Sequence, residues 1–299
     1  MQESNLKKHI HLHFIIFIWG FTAILGALIS LDAIPLVWLR MGIGVLFMTA
    51  YFLIRNKSFK IDLKGLFHFF ITGLIIAIHW IFFFKAIKVS NISVTLVMLS
   101  TGAFFTSFLE PLFFKRRLKS IEILLGLAMV VGLYVIFSFE TQYFSGIVYA
   151  SIASFLGALF SVLNGVYVKK YEPHIISFYQ ILSGTLIITI YLLVTGSITY
   201  SLFDLSALNW LYLSILGSVC TAYAFIVSVK LMKFLSPFTV MLSLNLEPVY
   251  GIVFALFIFG EKEQMNASFY YGASIVLGIV VLNGILKSKE KTKKKHKLL

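Results

Sequence analysis

The chain of 299 residues is 60% hydrophobic and only 12% charged, with 31 Phe and a formal net charge of +13 at pH 7. A mean hydropathy of +0.96 is far from the balance of a water-soluble domain and places the chain in the membrane class. The single cysteine, Cys220, excludes an intrachain disulfide, and the absence of G-x-x-x-x-G-K-[ST], H-E-x-x-H, C-x-x-C and G-x-S-x-G leaves ATP-driven transport and the commonest hydrolase sites without support.

A bilayer crossing takes roughly 20 apolar residues. Such stretches run at about 11–31, 34–54, 66–86, 92–113, 121–138, 145–168, 175–196, 207–230, 236–259 and 268–286, and the connections are too short for a soluble domain. The predicted fold class is therefore an all-α integral membrane protein of ten transmembrane helices, with a cytoplasmic N-terminus (1–10) and a basic cytoplasmic tail (287–299). With the N-terminus inside, 21 of the 25 Lys and Arg fall on the cytoplasmic side and only Lys85, Lys88 and Lys262 outside. The expected location is the inner or plasma membrane, with both termini cytoplasmic. The positive charge reflects topology, so no nucleic-acid partner is expected, and the tail lies against anionic headgroups of the bilayer.

The first span follows Lys7 and Lys8 but is too long for a signal peptide and lacks a small-residue cleavage site. The histidines of "HIHLH" are two residues apart and point to different helix faces, which suits interfacial histidines and not a metal site. Arg40 enters the second span by six residues, roughly 9 Å at 1.5 Å per residue. It either neutralises a substrate or a carboxylate, or snorkels to the outer headgroups. His79 and Trp80 sit past the middle of the third span and read as part of an aromatic binding wall or as a packed, hydrogen-bonded pair. Glu110-Pro111 in the fourth span lies close to Lys115, Arg116 and Arg117 and reads as an interfacial charge partner.

The ninth span carries the stripe Thr239, Ser243, Glu247 and Gly251, whose steps of four share a helical face. Glu247 stands near mid-bilayer, placed to take up and release a proton, or alternatively as a protonated structural residue bonded to a neighbouring helix. Pro248 removes a backbone hydrogen bond there and predicts a kink with free backbone groups, beside which Asn245 is a further binding candidate.

The chain also repeats itself. Gly44 matches Gly184 and Tyr51 matches Tyr191 at an offset of 140, VMLS recurs from 97–100 to 240–243 at 143, and Gly126 and Gly132 match Gly272 and Gly278 at 146. A slowly growing offset is what small loop insertions leave in a duplicated chain. Five spans per copy force the second copy to enter from the opposite side, so the units 11–138 and 145–286 are expected to be inverted repeats with a site near the midplane between them. On this register Arg40 corresponds to Gln180 and Trp80 to Tyr223. The fifth and tenth spans, almost free of polar side chains, are expected to support the bundle or pack on a partner subunit, which allows a homodimer.

Ten spans in a five-plus-five duplication, "FIWGFTAILG" in the first, "VWLRMGIG" in the second and "LNLEPVYGIVFALFIFGEKE" in the ninth resemble the EamA family of the drug/metabolite transporter superfamily over essentially the whole chain. The resemblance implies two EamA repeats and an inner-membrane transporter that exports amino acids, other metabolites or drugs without ATP. One departure is visible: the acidic residue in Gly260-Glu261-Lys262 has no counterpart in Phe114-Lys115-Arg116. The expected function is secondary transport of a small-molecule substrate by alternating access, without cofactor or metal; the alternative is a membrane-embedded enzyme acting on lipid-like substrates. The expected substrate-binding residues are Trp19, Arg40, His79, Trp80, Gln180, Tyr223, Ser243, Asn245 and Glu247, with Glu247 also the proton-coupling group.

Overall fold

A computed structural model describes residues 2–115 and 141–296 and, between them, positions 121, 124, 125, 127, 128, 131, 132 and 135. Most of the expected fifth span with Gly126, the basic residues Arg116, Arg117 and Lys119, and the lysine side chains of the tail lie outside the described residues. All regular structure among the described residues is helical. Eight helical stretches among the described residues are long and apolar enough to cross a bilayer.

The elements are α1 (Gln2–Leu28), α2 (Ala33–Ile54), α3 (Leu63–Val89), α4 (Ile92–Leu99), α5 (Gly102–Phe113), α6 (Phe144–Tyr167), α7 (Pro173–Val194), α8 (Ala207–Gly217), α9 (Ala224–Leu231), α10 (Pro237–Ser243), α11 (Glu247–Phe259) and α12 (Ala267–His296). Short polar residues start several of them. Asp62 accepts from the Gly65 amide (3.0 Å) at α3 and Asn91 from the Val94 amide (2.8 Å) at α4. Ser206 accepts from Asn209 at α8, and Ser236, followed by Pro237, accepts from Thr239 at α10. Each satisfies an amide that the helix leaves without a partner.

Three crossings are interrupted. A turn at Ser100 and Thr101 separates α4 from α5, a π-turn at Ser218–Tyr223 separates α8 from α9, and a 3-10 turn at Leu244–Leu246 separates α10 from α11 just before Pro248. The last is the kink that Pro248 predicts.

The sequence offsets recur in the geometry. Among the described residues four have positive φ, and they pair off: Asn56 (47°) with Gly196 (63°), 140 apart, and Lys115 (52°) with Gly260 (57°), 145 apart. The first pair closes its helices with the same bonds. Lys57 N donates to Phe52 O (2.8 Å) after α2, and Ser197 N donates to Leu192 O (2.9 Å) after α7. Lys115, and not Phe114, is thus the geometric counterpart of Gly260, which shifts the sequence pairing at that point by one residue. Helix crossings repeat as well. A Cβ on Gly217 would lie 3.0 Å from Arg40 O, while one on Gly73 would strike Gln180 O. A Cβ on Gly44 would lie 3.4 Å from Gly217 O, and one on Gly184 2.9 Å from Gly73 O. So α2 crosses the end of α8 as α7 crosses α3, glycine to glycine, with Arg40 and Gln180 in matching places.

Helix α3 packs mainly on α6 and α7, α1 on α11, and α4 with α5 on α6, while α12 lies against α4 and α10. The result is a bundle whose interior is shared by helices from both ends of the sequence.

Candidate functional site

A cavity of about 920 Å³, its open mouth included, lies between α1, α2, α3, α6, α9 and the two interrupted crossings α4–α5 and α10–α11. Its charged lining residues are Arg40 and Glu247. Both are buried, Arg40 at 1% exposure and Glu247 at 7%.

Arg40 is held from three sides. Its Nε donates to Thr221 Oγ1 (2.7 Å), and its guanidinium carbon lies 3.9 Å over the Trp80 ring and 5.5 Å from the Phe84 ring centre. Snorkelling is ruled out by this burial. The Thr221 hydroxyl accepts from Arg40 because it donates to Leu216 O (2.7 Å), five residues back, inside the π-turn. The Cys220 carbonyl in the same turn accepts from Trp19 Nε1 (3.0 Å). The π-turn is therefore a fixture that orients both Trp19 and Arg40, in keeping with the frequent placement of such turns at functional sites. Arg40 Nη1 is buried and has no hydrogen-bond partner.

Glu247 follows the 3-10 turn and is the first residue of α11. Its carboxylate makes no hydrogen bond or ion pair to the described residues, and it shares the cavity with Arg40 closely enough for the two charges to interact. A buried carboxylate and a buried guanidinium that face one space without closing on each other leave both available to a third body.

His79 donates from Nδ1 to Ala153 O (2.6 Å), which fixes its tautomer and leaves Nε2 as the free ring nitrogen. The ring lies edge-on to Phe160 (5.2 Å) and close over Gly157, where a Cβ would come to 3.1 Å of it. With Trp19, Trp80, Phe83 and Phe225, these rings form the aromatic wall.

Of the nine residues expected to bind substrate, Trp19, Arg40, His79, Trp80 and Glu247 line this cavity, and Gln180, Tyr223, Ser243 and Asn245 do not. Gln180 is fully buried one layer behind, its Nε2 donating to Asn164 Oδ1 (2.7 Å). Tyr223 is 42% exposed and pairs its hydroxyl with His11 Nε2 (3.0 Å) on the outer face of the bundle. Phe225 lines the wall instead: the matching crossings of Gly73 and Gly217 set a local offset of 144, one more than the pairing of Trp80 with Tyr223 assumes, and the extra residue of the π-turn adds another. Ser243 donates to Thr239 O (3.0 Å), and the 3-10 turn breaks the four-residue stripe between it and Glu247. Asn245 donates to Leu242 O (2.8 Å) and so satisfies a carbonyl at the kink instead of presenting it. Gly251 faces α1, with Gly20 O 3.3 Å from its would-be Cβ.

Sequence reasoning missed the α6 side altogether: Ser154, Ser161 and Asn164 line the cavity, as do Ser100 and Ser228. Spacing offered a signal, since Ser154, Gly157, Ser161 and Asn164 fall three or four apart on one helical face. A second omission is Glu263, buried at 5%, whose carboxylate accepts from the amides of Ile92 and Ser93 (both 2.9 Å) and from the Ser93 hydroxyl (2.8 Å), tying the turn after α11 to the start of α4. It sits two residues past the expected Glu261.

A family model, the EamA-like transporter family, matches residues 9–138 and again 144–285. The chain belongs to this family. It lies within the drug/metabolite transporter superfamily. An uncharacterized transporter of Bacillus subtilis (strain 168), YxxF, is 22% identical over 262 residues, covering 85% of this chain and 79% of that one. An uncharacterized transporter of Archaeoglobus fulgidus is 22% identical over 291 residues, covering 94% and 96%. A solved crystal structure shares the fold with a TM-score of 0.68 at 14% identity, over 94% of this chain and 98% of its own. This EamA-family chain is thus a multi-pass membrane protein and a membrane transporter.

Proposed function

We propose that the protein is a secondary transporter of small zwitterionic metabolites, amino acids among them, in which Arg40 takes the substrate carboxylate, Glu247 its ammonium group, and the aromatic wall its body. The observation that carries this reading is a buried guanidinium and a buried carboxyl group that share one cavity without an ion pair between them. The paired helix ends and glycine crossings at offsets of 140 to 145 support two inverted five-helix repeats, ten spans in all, that alternate access around the cavity. The bias of basic residues between the loops supports an orientation in a cell membrane with both termini cytoplasmic. In that orientation the cavity leans inward, because Asn164, Val240 and Met232 lie at or within a turn of the cytoplasmic ends of α6, α10 and α9. Export is the direction expected from the family. Glu247 exchanges its ammonium ligand for a proton during the cycle, which couples transport to the proton gradient.

Counterflow of a radiolabelled amino-acid panel into liposomes containing the purified protein, with and without a pH gradient, tests this. Uptake that follows the gradient, and loses that dependence in Glu247→Gln, is the expected outcome. Gradient-independent uptake that persists in the variant overturns the coupling role of Glu247, and no flux of any amino acid overturns the substrate class.

A further inference from the structure

The α6 wall of the cavity holds a concentration of polar atoms that the charged pair leaves unused. Ser161 Oγ, Asn164 Nδ2 and Gln180 Oε1 are all buried without a hydrogen-bond partner. Ser161 and Asn164 are three residues apart on one face of α6, both border the cavity, and both are nearly inaccessible at 2% and 1% exposure. Gln180 stands behind them and donates to Asn164 Oδ1 (2.7 Å). Whichever way the two amides are turned, that bond uses one atom of the Asn164 carboxamide and leaves the other free. A buried polar group without a partner loses the hydrogen bonds it made to water and gains none in return. Native interiors carry few of them, and three at one spot point to a missing partner.

The chemistry of the spot limits that partner. No charged side chain lines this end of the cavity, so a second carboxylate or ammonium would leave water without a counter-charge. An alkyl group would leave the Ser161 hydroxyl and the Asn164 carboxamide unpaired. A group that both donates and accepts satisfies a hydroxyl and a carboxamide together.

We propose that Ser161 and Asn164, backed by Gln180, form a specificity-determining subsite that takes an uncharged hydroxyl or carboxamide at the far end of the substrate. This rests on the reading in which Arg40 and Glu247 hold the zwitterionic head. Discrimination at such a subsite is strong, because a substrate without the polar group strands the buried donors and acceptors of the protein.

Asparagine and leucine have nearly the same shape, as do threonine and valine, so the two pairs isolate hydrogen bonding from size. In counterflow with the full-length protein in liposomes, the polar member of each pair is expected to exceed the apolar one by about tenfold or more. Asn164→Leu, similar in volume, lowers the asparagine-to-leucine ratio about tenfold while leucine flux persists. Ser161→Ala, which removes one oxygen and little packing, lowers the threonine-to-valine ratio in the same direction and answers the question if Asn164→Leu does not fold. Equal wild-type rates within both pairs overturn the subsite and leave the zwitterion reading intact, as does a ratio that stays unchanged in the folded variants. Counterflow of none of the four amino acids overturns the zwitterion reading, and the subsite falls with it.

Discussion

Arg40 stays in the interior through contacts of different kinds: a hydrogen bond to Thr221 and the faces of Trp80 and Phe84. A desolvated cation over an aromatic face gains about 2 kcal/mol or more, which offsets part of the cost of burial. Thr221→Val removes the acceptor and keeps the shape. It is expected to lower stability by about 1–3 kcal/mol, because Nε is then buried without a partner, and thermal unfolding in detergent measures it. A smaller effect of opposite sign is expected at Lys115, whose φ of 52° is a left-handed conformation that disfavours a Cβ. Its geometric counterpart is Gly260, and Lys115→Gly should stabilise the protein by up to about 1 kcal/mol by the same assay.

Between elements, close backbone approach sets the crossing of α3 and α7. A Cβ on Gly73 would strike the Gln180 carbonyl, which is backbone and cannot swing away, so Gly73→Ala must separate the helices. Gly42→Ala is the control, since its Cβ would meet nothing closer than Thr185 Cγ2 at 4.0 Å. The first is expected to cost about 1–3 kcal/mol and the second under about 0.5 kcal/mol. Much of this level was legible beforehand: eight of the expected spans reappear because apolar length is all a span needs, and Pro248 announced the kink because it lacks an amide hydrogen. The π-turn was not legible. Nothing in "SVCTAY" marks it, since a π-turn is a change of hydrogen-bond register and not of composition, and its extra residue accounts for one of the two positions by which Phe225 replaces Tyr223 on the wall. The same limit explains Gln180 and Asn245, which sequence could rank as polar and buried but could not point toward or away from a cavity.

At the scale of the molecule, the two ends of the bundle are tied differently. At the basic end, exposed Lys170 bridges to Asp62 (3.0 Å) and Lys233 to Glu172 (3.0 Å), contacts that solvent screens. At the opposite end the buried carboxylate of Glu263 caps α4 with bonds of the charge-assisted kind, about 1.5–3 kcal/mol each. Hydrogen bonds from Lys170 and Tyr171 hold the Asp62 carboxyl down at about 2. Since the folded value lies below the ordinary value of about 3.9, the contribution of this group is present above that pH and lost as pH falls through about 2. The thermal midpoint of the wild type should therefore fall more steeply than that of Asp62→Asn between about pH 4 and pH 2, and in parallel with it above about pH 5. Topology has its own check: a fluorescent protein fused to the C-terminus should be bright in the cytoplasm, and alkaline phosphatase fused there should be inactive.

A substrate that spans Arg40 and Glu247, as proposed, needs both groups for transport. Side-by-side counterflow of the amino-acid panel by the wild type, Arg40→Gln and Glu247→Gln, each matched for folded protein in the liposomes, tests it most directly. Both variants are expected to lose at least about tenfold in rate at low substrate, because each leaves one end of the zwitterion without a counter-charge. Wild-type rates in the folded Arg40→Gln variant would contradict it and return Arg40 to a purely structural role beneath Trp80.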